Sequence, residues 1–295
     1  MSLVNDRELV GRLFPQLSLD RFEPLGSGWT CDTYRVDGWI VQLPRTPYAD
    51  AKLRRQMEVL PELGREVSAP VPQPDLVSLD PVCMGYREIV GIGCDTVGDV
   101  AAGDAGMWPE RLGRFLYDLH MVPPEFLGMR GTSADALRGA RYADWERLRD
   151  LASEHLTAVD ARVASHSIEP LFEDDAVWRF GPCVTHGDLA PEHVLLTPSG
   201  DLAGVIDWEE VDVGDPAADF AWGLRMPGAG ERALGAYGGP PDVGFAKRAG
   251  LCDALIPLHE VEHGLEAGSP GLVDAGLSAF HTRIVALGEA GALGP

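Results

Sequence analysis

Cysteine is scarce in this chain: five residues (Cys31, Cys83, Cys94, Cys183, Cys252), odd in number, scattered and without a CxxC pair. That pattern excludes a disulfide framework and a cysteine zinc site, and implies reduced thiols. No run of about 18 apolar residues occurs, which excludes a transmembrane helix as the organising element. The N-terminal stretch Met1-Ser2-Leu3-Val4-Asn5-Asp6-Arg7-Glu8 lacks the basic and apolar regions of a secretory signal, so a cytoplasmic protein is expected. Basic residues are few, 24 against 46 acidic ones, for a net charge of −22. A surface so acidic repels nucleic acid and anionic membranes and attracts polycations. Acidity also serves solubility, so the charge alone selects no ligand. Internal repeats and low-complexity segments are absent. What remains is 295 residues with 45% hydrophobic content, enough for two lobes sharing a cleft, as a monomer or a dimer.

The chemistry concentrates between Val184 and Asp219. His186-Gly187-Asp188-Leu189 is followed by His193 five positions after the aspartate, then by the apolar run Val194-Leu195-Leu196. A turn at Ser199-Gly200 leads to Ala203–Ile206 and on to Asp207-Trp208. The stretch ends Gly214-Asp215-Pro216-Ala217-Ala218-Asp219. These intervals reproduce the catalytic-loop and metal-loop spacing of phosphoryl-transfer enzymes. Such transfer demands positioning and charge neutralisation rather than covalent help. Asp188 can accept a hydroxyl proton, and a hairpin returns Asp207 to the vicinity of His193, where both can ligate one metal. Turn-capping carboxylates on an ordinary hairpin would explain neither the His-Gly-Asp triplet nor the coupled spacing.

These motifs resemble the signatures of the aminoglycoside phosphotransferase family, kinase-like enzymes that modify antibiotics. The resemblance extends over nearly the whole chain: Leu112-Gly113-x-x-Leu116-x-x-Leu119-His120 is similar to the helix leading toward the catalytic segment, and Glu88-Ile89-Val90-Gly91-Ile92-Gly93 to the hinge between lobes. It implies an α+β, bilobal protein-kinase-like fold, with a small β-rich N-lobe (1–90) and a larger, mainly helical C-lobe (91–295). ATP or GTP is implied between them with Mg²⁺, the hinge residues Glu88 and Val90 serving the nucleotide. His193 stands where most members carry Asn, a substitution that resembles the macrolide phosphotransferase branch, as do Glu209 and Glu210 after Ile-Asp-Trp. Mg²⁺ prefers oxygen to imidazole, so His193 is the unusual ligand of the pair.

Upstream, Leu25-Gly26-Ser27-Gly28-Trp29-Thr30 reads as a glycine loop whose backbone N–H groups can face phosphates, although glycines also make plain hairpin turns. Kinase-like enzymes place a lysine on the third strand and pair it with a helix glutamate. Here Trp39-Ile40-Val41-Gln42-Leu43 puts Gln42 at that position, and Gln56 at its helix partner. Two amides can hydrogen-bond and tie helix to strand, but they bring no charge to phosphates. Arg45 or Lys52 is then the replacement cation.

Asp215 and Asp219 are expected to brace the loop and cap a helix, and His186 to orient the loop backbone. Glu260 and Glu262 lie on a C-terminal helix that borders the substrate cleft in the family, and with Glu209 and Glu210 are candidates for holding a cationic acceptor. Periodicity predicts a first helix from Asn5 to near Pro15 and strands at about 22–26, 31–36, 39–43, 76–79 and 84–90. It predicts helices at about 50–63, 107–121, 134–165, 215–225, 241–264 and 270–288. With 35 glycines and 23 prolines, many loops separate them. The expected function is transfer of the γ-phosphate of ATP or GTP to a hydroxyl of a small, cationic molecule. An aminoglycoside-like antibiotic comes first and a macrolide second. An amino-alcohol or sugar kinase and a non-catalytic nucleotide-binding pseudokinase are the alternatives.

Overall fold

A computed structural model describes residues 3–27, 30–96 and 106–292. The chain packs as two compact units, Met1–Met129 with Ala190–Val211, and Arg130–Leu189 with Asp212–Pro295. The first unit thus joins the N-terminal segment to the hairpin that follows His193.

The first unit is built on an antiparallel sheet in the order β1-β2-β3-β5-β4: β1 Phe22–Ser27, β2 Cys31–Val36, β3 Trp39–Pro44, β4 Pro74–Leu79, β5 Val82–Arg87. Asp37 and Gly38, both at positive φ (51° and 76°), join β2 to β3 and set the register Val36↔Trp39. An Asp-Gly pair suits this two-residue turn because both accept the left-handed backbone it needs. The strands alternate between two buried faces. Val41 and Leu43 pack with Val10 and Phe14 of the first helix, α1 (Leu3–Leu13, with Phe14 just beyond it), which a buried Tyr34–Asp6 hydrogen bond of 2.7 Å also holds. Ile40 and Met84 pack with Leu53 of α2 (Pro47–Glu66). Thr46 caps α2 by accepting the Ala49 N–H at 3.1 Å, and Pro47 opens it, the arrangement favoured at a helix start.

A second, three-stranded sheet follows the order β6-β8-β9: β6 Ile92–Gly93, β8 Val194–Leu196, β9 Leu202–Val205. The β8–β9 hairpin turns at Ser199-Gly200 as expected, with Gly200 at φ 78°. Helix α3 (Trp108–Met121) packs beside it, and its Phe115 meets the fully buried Trp208 edge-on at 6.1 Å.

The second unit is mainly helical: α4 Ala134–Ala152, α5 Ala158–Glu173, α6 Pro227–Tyr237, α7 Phe245–Glu266 and α8 Pro270–Ala292. Its core gathers Trp145, Leu148, Ile168, Leu255, Leu258, Phe280 and Ile284. Two short strands, β7 (Cys183–Thr185) and β10 (Asp212–Gly214), pair antiparallel.

Three helix expectations are corrected. The single helix over 134–165 is two, because Thr157 accepts the Asp160 N–H at 3.1 Å and starts a new helix. The segment 215–225 is a tight 3₁₀ turn, Ala218–Leu224. The helix over 241–264 begins only at Phe245, preceded by the unforeseen α6. None of the five cysteines forms a disulfide and four of them are buried; burial first, Glu209 second, pushes Cys31 up to about 12. Among the described residues no helix is long and apolar enough to cross a membrane.

Candidate active site

Beside β3 in the first unit lies a cavity of about 480 Å³. Leu25, Ile40, Ile89, Leu195 and Ile206 give it apolar walls, and Thr33, Gln42, Glu88 and Asp207 give it polar points. Strand register orders two of its rows. Arg35 lies opposite Ile40, which lies opposite Tyr86; Thr33 lies opposite Gln42, which lies opposite Met84. The rows are two residues apart, roughly 6–7 Å along the strand. Apolar walls around a few fixed polar groups suit a planar base with a charged tail.

The expected amide bridge does not form. Gln42 Oε1 and Gln56 Nε2 are both buried with no hydrogen-bond partner, although both residues sit between β3 and α2. A buried amide without a partner costs stability rather than adding to it. Gln56→Leu should therefore leave the thermal midpoint unchanged or raise it. A bonded amide would instead lose about 1 kcal/mol, and a clear drop in a denaturation scan would show that the bond exists.

The candidate replacement cations are engaged elsewhere. Arg45 lies 3.8 Å from Asp32. Lys52, one of only two lysines in the chain, donates to Glu210 at 2.7 Å beside the Tyr48 hydroxyl, which donates to the same carboxylate at 3.1 Å. Helix α2 is thus joined to the segment after Asp207 by an ion pair that local spacing did not reveal. The pair is half-exposed, so Lys52→Glu and Glu210→Lys should each destabilise modestly. The double swap should recover part of the loss, with a coupling of about 0.2–1 kcal/mol in chemical denaturation. Strict additivity would dissolve the pair.

The metal candidates share one corner. His193 closes a 3₁₀ turn, Pro191–His193, and its carbonyl accepts the Ile206 N–H at 3.0 Å, which binds the two loops together. His193 Nε2 lies 3.4 Å from Asp207 Oδ2. Asp207 adopts a left-handed backbone, φ 67°, a strained conformation that Asp tolerates better than most residues and that recurs at functional sites. Mg²⁺ is commonly held by one or two protein groups and completes its shell with phosphate oxygens and water. One carboxylate and one imidazole fit that pattern, with the carboxylate as the stronger ligand.

The His-Gly-Asp loop belongs to the second unit. It leaves β7 at Thr185, and Gly187 takes φ 86°, open to glycine without strain. Asp219, fully buried, accepts the His186 N–H through Oδ2 and the Gly187 N–H through Oδ1, both at 2.9 Å. His186, also fully buried, accepts the Asp188 N–H at Nδ1 at 3.4 Å. The Asp188 residue itself is exposed. The loop is therefore pinned by its backbone while the residue at its end is exposed, a placement that suits a group meeting a diffusing hydroxyl.

The remaining site candidates fall in different places. Gly26 and Ser27 end β1; Gly28 lies outside the described residues. Glu88 lines the cavity, but its carboxylate is forked by Arg35 at 2.6–3.0 Å. Val90 is 77% exposed and does not line the cavity, whereas its neighbours Ile89 and Gly91 do. Glu209 accepts from the Thr30 hydroxyl at 2.5 Å, and burial raises its pKa. Glu262 on α7 accepts from Arg147, and Glu260 on the same helix is half-buried. Sequence reasoning missed Arg35 and Tyr86, for which alternation along β2 and β5 was a local signal, and the Lys52–Glu210 pairing, which has no local signal.

The first unit thus carries a cavity with apolar walls and a few polar points, and the second a His-Gly-Asp loop held from within by Asp219. The chain belongs to the phosphotransferase enzyme family, whose family model matches residues 21–250. Viomycin phosphotransferase of Streptomyces vinaceus is 37% identical over 112 residues, 36% of this chain and 38% of that protein. The chain thus spans well under half the length of the curated relatives it matches here. Among solved structures, the GDP and kanamycin complex of APH(2")-IIia is similar at a TM-score of 0.82 and 20% identity, over 95% of this chain and 98% of that one. Macrolide 2'-phosphotransferase MphH from Brachybacterium faecium is similar at 0.72 and 23% identity, over 94% and 97%. At these identities the structures establish the kinase-like α+β fold.

Proposed function

We propose that the chain transfers the γ-phosphoryl group of ATP or GTP to a hydroxyl of a cationic, aminoglycoside-like antibiotic in the cytoplasm. The observation that carries this reading is the exposed Asp188 on a loop whose backbone Asp219 holds from within. Asp188 orients the acceptor hydroxyl and takes its proton as the oxygen–phosphorus bond forms and the bond from γ-phosphorus to the bridging oxygen breaks. The first-unit cavity takes the base against Ile40, Ile89 and Ile206, and Gly26 and Ser27 at the end of β1 serve the phosphates. His193 and Asp207 would hold Mg²⁺, which supplies charge neutralisation on the phosphate oxygens when bound. The net charge of −22 favours a polycationic acceptor by raising its local concentration.

The local identity to viomycin phosphotransferase favours viomycin as a second acceptor. Both are tested by one transfer screen with ATP and GTP against aminoglycosides, viomycin, macrolides and amino alcohols, read by mass of the acceptor. Phosphorylation within the cationic antibiotics supports the proposal. Phosphorylation confined to macrolides or amino alcohols overturns the acceptor assignment.

A further inference from the structure

The second unit contains a charge that the proposed chemistry leaves unused. Arg248, on α7, is wholly buried, yet nearly all of its donors are spoken for. Nε donates to Asp215 Oδ2 at 2.8 Å. Nη1 donates to Asp242 Oδ1 at 2.8 Å and to the Val177 carbonyl at 2.6 Å, and Nη2 donates to Asp242 Oδ2 at 2.9 Å. The guanidinium carbon sits 4.1 Å from the centre of the Phe180 ring. Burying such an ion is costly, and an apolar side chain of similar size would pack here at less expense. The planar fork does something an apolar group cannot: it holds two carboxylates in fixed directions at once.

One of those carboxylates leads to the catalytic loop. Asp215 Oδ1 accepts the Ala217 N–H at 3.0 Å, and its carbonyl accepts the Ala218 N–H at 3.0 Å. These two bonds start the 3₁₀ turn Ala218–Leu224, which carries Asp219 in its first turn. Asp219 in turn holds the His186 and Gly187 amides. A path therefore runs from Arg248 by hydrogen bonds to Asp215 and on to the Ala217 and Ala218 amides, by the backbone from Ala218 to Asp219, and by hydrogen bonds from Asp219 to the residues just before Asp188.

We propose that Arg248 is a positioning residue for the catalytic loop, fixing Asp188 through Asp215 and the turn that carries Asp219. This rests on the reading of Asp188 as the group that meets the acceptor. A cavity of about 390 Å³, bordered by Phe180, Pro216, Pro241 and Asp242, lies against two of the groups that hold the guanidinium. It offers a small cation an entry to the space an Arg248→Ala change would open.

The test uses the full chain with Arg248→Ala and Arg248→Lys, and two independent readouts. Hydrogen exchange of the peptide spanning 183–190 needs no acceptor. We expect it to quicken about tenfold or more in Arg248→Ala, beyond any change in the α7–α8 peptides, because local opening is reported locally. With an acceptor from the transfer screen, kcat should fall roughly 10–100-fold while the nucleotide KM stays within about threefold, as for other supporting groups that orient a site. Added guanidinium at non-denaturing concentration should restore part of kcat in Arg248→Ala, whereas urea should not. Arg248→Lys keeps the charge but loses the fork, so it should lie between wild type and Arg248→Ala. It carries the same test if Arg248→Ala does not fold. Unchanged exchange at 183–190, or quickening spread evenly over the unit, overturns the proposal, as does a kcat equal to wild type. If no acceptor is phosphorylated, the reading of Asp188 fails, and the exchange result still decides whether Arg248 holds the loop.

Discussion

Replacing Asp188 by Ala should lower kcat by about 100- to 10,000-fold, the range that a positioned proton acceptor contributes. Nucleotide affinity should change little, because the phosphates and base are assigned to groups of the first unit and Asp188 acts on the acceptor. The geometry sharpens this expectation. The His186 and Gly187 amides are held by Asp219, and the Asp188 amide by His186, all through backbone donors that the substitution leaves in place. The variant should therefore fold with its loop intact and lose chemistry alone. Steady-state kinetics paired with calorimetric titration of nucleotide checks both halves. Turnover within threefold of wild type would remove Asp188 from its role.

Asp207→Asn should weaken Mg²⁺-dependent nucleotide binding by about 100-fold or more, since even groups that merely support metal ligands are worth 10–100-fold. The carboxylate is the one anionic oxygen donor of the His193–Asp207 pair, and hard Mg²⁺ depends on it. In the absence of Mg²⁺ the same substitution should have little effect or improve binding, because a negative charge beside the phosphates has been removed. Equal affinity for wild type and variant at saturating Mg²⁺ would exclude Asp207 as ligand. His193→Asn should preserve or improve Mg²⁺-supported activity by supplying an oxygen in place of imidazole nitrogen. Complete loss would mean that the imidazole itself is required.

Much of this was legible in the chain because the informative residues are close in sequence. The hairpin between His193 and Asp207 is a local structure with a glycine at its turn, so the approach of the two side chains follows from spacing. The alternation along β3 likewise placed Gln42 on one face and Val41 and Leu43 on the other. Long-range partners were not legible. Spacing put Gln42 and Gln56 in register but could not show that their amides miss each other. Nothing near Lys52 points to Glu210, 158 residues away. The break at Thr157 was present as a cap with Asp160 three residues on, yet the apolar pattern ran through it and concealed it. Arg248 looks like any helix arginine until the fold brings Asp215 and Asp242 around it.

Direct transfer to a hydroxyl is decided by single-turnover mixing of the protein with Mg²⁺, γ-labelled nucleotide and acceptor. Label should leave the nucleotide and appear on the acceptor in equal amount, with the yield collapsing in Asp188→Ala at equal nucleotide occupancy. Label appearing only as free phosphate, or equal yield from Asp188→Ala, would contradict it.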